Sequence, residues 1–307
     1  MENRPLISVS MPAFNAARYI EESIQSVLSQ TYDNFELIIY DDGSTDKTRE
    51  ILLGYSDPRI KIILGDVNKG LIFARNTIAR EAKGKYLALL DADDIASPER
   101  FEKQVAFLES GKADICGGAH YSLYESTGRM KLSKQRYSDA DIRALITICS
   151  PLCNPAVMGR AEVLKRHPYQ TGKDYAEDYS LWTELALAGY RFANLREILI
   201  TYRIHSEQTS QVQNPETNRI FNISRSAYLV GLGMGGEFLP KSISLAERLK
   251  QAIPFMLQLN QIIPGISVLA NYEIYARFQF RGNGLLTPLT RLERLLVSVL
   301  ASLRGRF

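Results

Sequence analysis

Cysteine, histidine and tryptophan are scarce in this chain, at three, three and one among 307 residues. Cys116, Cys149 and Cys153 are odd in number and too few for a disulfide framework. His120, His167 and His205 do not combine with them in a zinc-binding spacing. Buried, reduced thiols in a cytosolic protein are the reading that follows. A surplus of one charge is missing too, since 37 Lys and Arg face 34 Asp and Glu for a net of +3. So small an excess leaves no nucleic-acid footprint, and 45% hydrophobic residues exclude a disordered chain. Uninterrupted apolar runs stay well short of the ~18 residues of a membrane span. The first residues carry Glu2 and a short apolar stretch that meets Pro12, unlike a secretory leader. A cytoplasmic protein is expected.

What the chain does have is alternation. Residues 6–11 read as a strand ending at Pro12, which cannot donate to a ladder. Ile20, Ile24, Val27 and Leu28 then recur at helical spacing. Residues 35–40, 60–64 and 86–90 predict three more strands. Between them lie a helix capped by Ser44 or Thr45 and a helix over 70–83 closed by Gly84. Ser97-Pro98-Glu99 opens another helix near 97–110. This order predicts an α/β fold with a mostly parallel central sheet and helices on both faces. In such sheets ligands sit beyond the carboxyl ends of the strands. Acidic clusters at 41–46 and 91–94 fall at two such ends.

Past residue 110 the alternation loosens into a β-rich patch at 113–124, a polar stretch to 140, a helix over 176–189 and a strand at 198–202. The segment 241–307 is different again, with nine Lys and Arg against three Glu, an excess of six where the rest of the chain is negative. Within it Leu289, Leu292, Leu296, Val299 and Leu303 step by three and four behind Pro288, and Thr290 to Glu293 has capping-box spacing. Such a basic amphipathic helix either docks on its own protein or a second copy, or lies on an anionic membrane surface. Three parts are therefore expected: 1–110, 111–240 and a basic helical extension, 241–307.

Carboxylates crowded at the end of an apolar strand shift one another's pKa or recruit a cation. Asp91-Ala92-Asp93 offers two, and Mg2+ or Mn2+ takes one or two carboxylates plus phosphate oxygens and water. A plainer role, capping the next helix, suits the same residues. Glycines directly after the first strand, which a dinucleotide-binding turn requires, are missing from Met11-Pro12-Ala13-Phe14-Asn15. A phosphatase whose nucleophile is the first aspartate of an Asp-x-Asp fits poorly, since here the motif follows the fourth strand and the 41–46 block precedes it.

Five ordered blocks resemble the family-2 glycosyltransferases: residues 7–15 with 20–32, 35–46 with its Asp-Asp-Gly-Ser, Asn68-Lys69-Gly70, Ala74-Arg75-Asn76, and Leu90-Asp91-Ala92-Asp93-Asp94. Glu177-Asp178-Tyr179-Ser180-Leu181-Trp182 extends the match, and the final ~70 residues fall outside it. The resemblance implies a glycosyltransferase-A fold, a nucleotide-sugar donor of UDP or dTDP type, inversion at the anomeric carbon, and Mn2+ or Mg2+. It implies that Pro12, Ala13, Phe14 and Asn15 border the donor pocket and that Asp41 accepts the imide N–H of the base. Arg75 would lie near base or phosphates, and Asp91 with Ala92 near ribose and metal. Asp93 would ligate the metal with Asp91 and His205 nearby, and Asp178 would be the general base. The implied partners are the donor and a glycan or lipid-linked acceptor in surface polysaccharide synthesis, with peripheral contact of 285–304 at the inner face of the plasma membrane, or a homodimer, from the tail. A non-catalytic nucleotide-sugar binder or scaffold is the alternative, against which stands the full set Asp91, Asp93 and Asp178.

Overall fold

The structure, a computed structural model, describes residues 4–206, 208, 215–235, 245–278 and 291–304. Strands β1 (Ile7–Ala13), β2 (Phe35–Asp41), β3 (Ile60–Leu64) and β4 (Tyr86–Leu89) alternate with helices α1 (Ile20–Leu28), α2 (Thr48–Leu53) and α3 (Leu71–Glu81). They pair in parallel in the order β3-β2-β1-β4, so three carboxyl ends carrying polar loops lie side by side. Next come β5 (Ile95–Ala96), α4 (Arg100–Glu109), β6 (Ile115–Tyr124), β7 (Arg129–Leu132), α5 (Asp139–Ile146), β8 (Met158–Arg160), α6 (Ala161–Arg166), α7 (Glu177–Leu187) and β9 (Phe192–Ile204). Beyond β4 the sheet becomes mixed: β8 is antiparallel to β4 and to β6, and β9 is parallel to β6. Both faces are covered. On one, Ile20, Ile24 and Val27 of α1 and Phe101 of α4 meet Val9, Met11 and Leu37. On the other, Ile72 and Ile78 of α3 join Leu181, Trp182 and Leu185 of α7 against Ile38, Leu87 and Leu89.

Local expectations fail where tertiary neighbours intervene. Strand β1 runs through Pro12 to Ala13 because β4 leaves it after Ser10↔Leu89. Pro12 has the parity of Ser10, so its missing N–H faces a side without a ladder. Ser44 does not cap α2; its hydroxyl accepts the Asn15 N–H at 2.9 Å, while Asp46 accepts that of Thr48 at 2.9 Å. Gly84 does not cap α3, which ends at Ala82 in an extended conformation (φ −62°, ψ 132°). A Cβ at Gly84 would lie 2.5 Å from Ser8 N and 2.8 Å from Leu6 O and Tyr86 O. The glycine is needed because β1 passes against this turn. Gly189, by contrast, takes the left-handed conformation (φ +86°) directly after α7, as a helix C-terminus favours.

Among the described residues four helices follow: α8 (Pro215–Gly231), α9 (Leu245–Ile262), α10 (Val268–Phe278) and α11 (Arg291–Arg304). A third apolar core joins them to α5 through Leu145, Leu229, Met256, Leu259, Ile274, Tyr275 and Val297. Polar ties reinforce it: Asp141 accepts Ser267 N–H at 2.6 Å and Ser267 O–H at 2.8 Å, and Arg136 pairs with Glu273 at 2.6 Å. Among the described residues no helix is long and apolar enough to cross a membrane.

Helix α11 packs by Val297, Ser298 and Ala301, whereas Leu296 and Leu303 of the expected stripe are exposed. Leu289 and the Thr290 half of the capping box lie outside the described residues, as do the side chains of Leu292 and Glu293. The inward face is chosen by hydrogen bonds. Asn260 and Asn271 pair with each other at 2.9 and 3.1 Å, and Asn271 donates to Ser302 at 2.9 Å. Turning the leucines inward would take Ser302 away from Asn271.

Replacing Gly84 with alanine should cost about 1–3 kcal/mol, because the Cβ would press on backbone atoms of two strands. Urea unfolding that matches the parent within error would remove the close-approach explanation.

Candidate active site

Two loops beyond the sheet edge are cross-clamped. Asn15, at φ +50°, accepts the Thr45 N–H at 2.8 Å through Oδ1, and Ala17 N–H donates to Asp46 at 3.0 Å. Ala16 N–H donates to Thr48 Oγ1 at 2.8 Å. Pro12 and Ala13 are buried beneath this clamp, while Phe14 stands 45% exposed above it. Asp41, at the end of β2, is fully covered; its carboxylate accepts Ser44 N–H at 3.1 Å and Arg49 Nε at 2.9 Å. Asp42 accepts Lys69 N–H and Gly70 N–H, both at 2.8 Å, which places a negative charge at the start of α3.

The second cluster follows β4. Ala92 is buried, its carbonyl accepting the Ser23 hydroxyl at 2.8 Å, so the flanking Asp91 and Asp93 are held by the turn. Asp93 Oδ2 lies 2.9 Å from His205 Nε2, beyond the end of β9. The His205 ring leans on Tyr19 at 4.7 Å between centroids. Burial raises the Asp93 carboxyl above its ordinary range, and neighbouring Asp91 adds to the rise. Asp94 is fully buried, takes Arg203 N–H at 2.9 Å, and is pushed well up by the same burial.

Arg75 links this cluster to the second half of the chain. It lies 5% exposed, donating to Asp91 at 3.0 Å and to Glu177 at 2.5 Å, with the Tyr169 ring 5.4 Å away. Burial alone would lower its pKa, yet Asp91, Tyr169 and Glu177 together hold it above the ordinary value, so the cation is permanent. Its neighbour Asn76 completes the tie, accepting Tyr169 N–H at 2.9 Å and donating to Tyr169 O at 2.8 Å. The loop before α7 is thus fastened to α3, and Asp178 in the first turn of α7 is fixed beside the β4 cluster. Burial and the adjacent Glu177 raise Asp178 to about 6.

Asp91, Asp93, Asp178, Arg75 and His205 therefore lie together at one end of the sheet. Asp41 shares its edge, but its carboxylate is engaged by Ser44 and Arg49, within its own loop and helix. The guanidinium of Arg75, expected near base or phosphates, is engaged with two carboxylates. Glu177 escaped the sequence reading, since a first-turn acid looks like a helix-dipole partner; Asn76 and Asp42 lay inside recognised blocks without a role. Trp182 is fully buried core.

Among the described residues no group of three or more His, Cys, Asp or Glu is arranged to hold a metal alone. Asp93 and His205 offer one carboxylate and one imidazole, and Arg75 occupies only Oδ1 of Asp91. That donor set fits a hard divalent ion completed by oxygens of a bound diphosphate and water.

A family model described as Glycosyl transferase family 2 matches residues 8–167. An uncharacterized glycosyltransferase of Haemophilus influenzae is 38% identical over 80% of this chain and 81% of its own length. The Escherichia coli UDP-Glc:alpha-D-GlcNAc-diphosphoundecaprenol beta-1,3-glucosyltransferase WfaP is 32% identical over 72% of this chain and 86% of its own. Among solved structures, S. aureus TarS 1-349 in complex with UDP-GlcNAc superposes with a TM-score of 0.61, at 17% identity over 98% of this chain and 91% of that one, a likeness of fold.

Changing Arg75 to methionine leaves Glu177 and Asp91 without their cation. The expected loss is about 3–5 kcal/mol, as for a broken buried ion pair, measured by denaturant unfolding. An unchanged midpoint would mean the bridge does not tie the halves together.

Proposed function

The chain belongs to glycosyl transferase family 2, and we propose that it is a metal-dependent, inverting enzyme that carries a sugar from a UDP- or dTDP-type donor to a hydroxyl of a lipid-linked glycan. The observation that carries this reading is the junction at Arg75, which sets the Asp91–Asp93 pair beside Asp178. Residues 1–110 would take the donor and 111–240 the acceptor. The UDP-GlcNAc complex of the structural neighbour supports the donor class, and the diphosphoundecaprenol acceptor of the Escherichia coli relative supports the acceptor and a place in surface polysaccharide synthesis. Thiols at Cys116 and Cys153 outside any disulfide suit the cytoplasm, where the inner face of the plasma membrane would present such an acceptor.

An acceptor hydroxyl must lose its proton as it attacks, and a carboxylate whose pKa approaches the working pH takes that proton well. Asp178, raised to about 6, is still charged at neutral pH and is a stronger base than an ordinary aspartate. Phe14 stands exposed beside the loops that Asp41 and Asn15 shape, which suits a flat base. Mn2+ or Mg2+ bound by Asp93, with His205 and Asp91, would supply charge neutralisation for the departing diphosphate. Arg75 and Glu177 keep the base at its distance from the donor, which removes orientational entropy from the barrier. One base serves a single displacement, whereas retention through a covalent intermediate also requires a nucleophile.

Asp178→Asn should hold donor affinity nearly constant while turnover falls about 10²–10⁴-fold. Equal loss of both would contradict the assigned base. In the parent enzyme kcat/KM should rise with pH through about 6 and level off above, since the base acts deprotonated; a flat profile down to pH 4 would oppose it. For Asp93→Ala, the extra thermal stabilisation that Mn2+ confers in the presence of UDP should vanish. Retention of that increment would place the metal elsewhere.

A further inference from the structure

Helix α11 carries its largest apolar residues on the side turned away from the fold. Leu295, Leu296, Leu300 and Leu303 are between 49% and 54% exposed, while Val297, Ser298 and Ala301 are buried. At 3.6 residues per turn the four leucines and Val299 form one band, and the packed residues occupy the opposite side. Packing of Val297 and Ala301 in the third core, with the Asn271–Ser302 hydrogen bond, holds the helix in this orientation. Nor does the apolar surface stop at α11. Leu300, Val297 and Ala301 line a groove of about 210 Å³ with Ile253, Met256 and Leu257 of α9, which extends the band across two helices.

Charge indicates what covers it. The segment from 241 onward has nine basic residues against three acidic, and α11 itself contributes Arg291, Arg294 and Arg304 against Glu293. Each of two associating copies would bring this excess of six positive charges, which opposes association. An anionic lipid surface attracts the same charge and receives the same leucines. We propose that the leucine face of α11, with the adjoining α9 groove, seats the protein on an anionic bilayer, the helix lying in the plane of the headgroups. This rests on α11 and its charge, and not on the glycosyl-transfer reading.

The test uses the full chain and sedimentation with vesicles of phosphatidylcholine alone or mixed with phosphatidylglycerol. Binding should be at least about tenfold stronger to the anionic vesicles and should weaken with salt. The double variant Leu296→Ser/Leu303→Ser removes apolar area without changing charge, at exposed positions outside the third core. It should lose about tenfold in vesicle binding with an unchanged melting temperature. Equal binding to both vesicle types, or unaltered binding by the double variant, overturns the proposal. So does sedimentation equilibrium that finds a lipid-free dimer which the double variant converts to monomer, since the face would then belong to a second copy. Turnover with a water-soluble acceptor should be the same in parent and variant, so failure of the catalytic reading is registered separately.

Discussion

A buried guanidinium between two carboxylates is the constraint on which the candidate site depends. Asp91 closes the fourth strand of the N-terminal half and Glu177 opens α7 in the C-terminal half, and Arg75 satisfies both from α3. In a poorly solvated site such a triad is stable only when each charge has its partner, so the three must be placed together or not at all. The result is a fixed spacing between the loop that would hold a cation and the helix turn that carries Asp178. Glu177 acts twice, since its charge neutralises Arg75 and also pushes the proton affinity of Asp178 upward.

Around that junction the sheet edge is organised by side chains that accept backbone N–H groups. Asp42 receives two from the turn before α3, Asn15 receives that of Thr45, and Asp46 receives those of Ala17 and Thr48. These loops would otherwise be free to move, because irregular segments have no ladder of their own. Asp93, part-exposed beside His205, and the buried Asp94, which takes Arg203 N–H, divide exposure and support between neighbours, whereas Asp41 and Asp42 are both buried and both hold backbone N–H groups.

The C-terminal helices obey a different logic. They add a third core against α5 and are specified by polar contacts, Asn260 with Asn271 and Asp141 with Ser267. The apolar content of α11 exceeds what this packing uses, and the surplus faces outward. A periodicity argument finds the leucine band but not its direction, since small residues with a matching hydrogen-bond partner can outcompete larger ones for the inward face.

The sequence by itself determined the strand and helix alternation through residue 110, the carboxyl edge as the place for chemistry, and the acidic residues that populate it. Hydrophobic periodicity, the Asp-Asp-Gly-Ser and Asp-Ala-Asp-Asp runs and the ordered blocks sufficed, because these features are local in the chain. Short elements such as α6 and β8, and the passage of β1 through Pro12, lay beyond it because their neighbours in space define them. Only the tertiary structure decided that Arg75 reaches across 102 positions to Glu177, that Gly84 serves a close approach and not a helix end, and that α11 turns its leucines outward. Each of those depends on which distant group arrives opposite, a quantity that spacing along the chain does not contain.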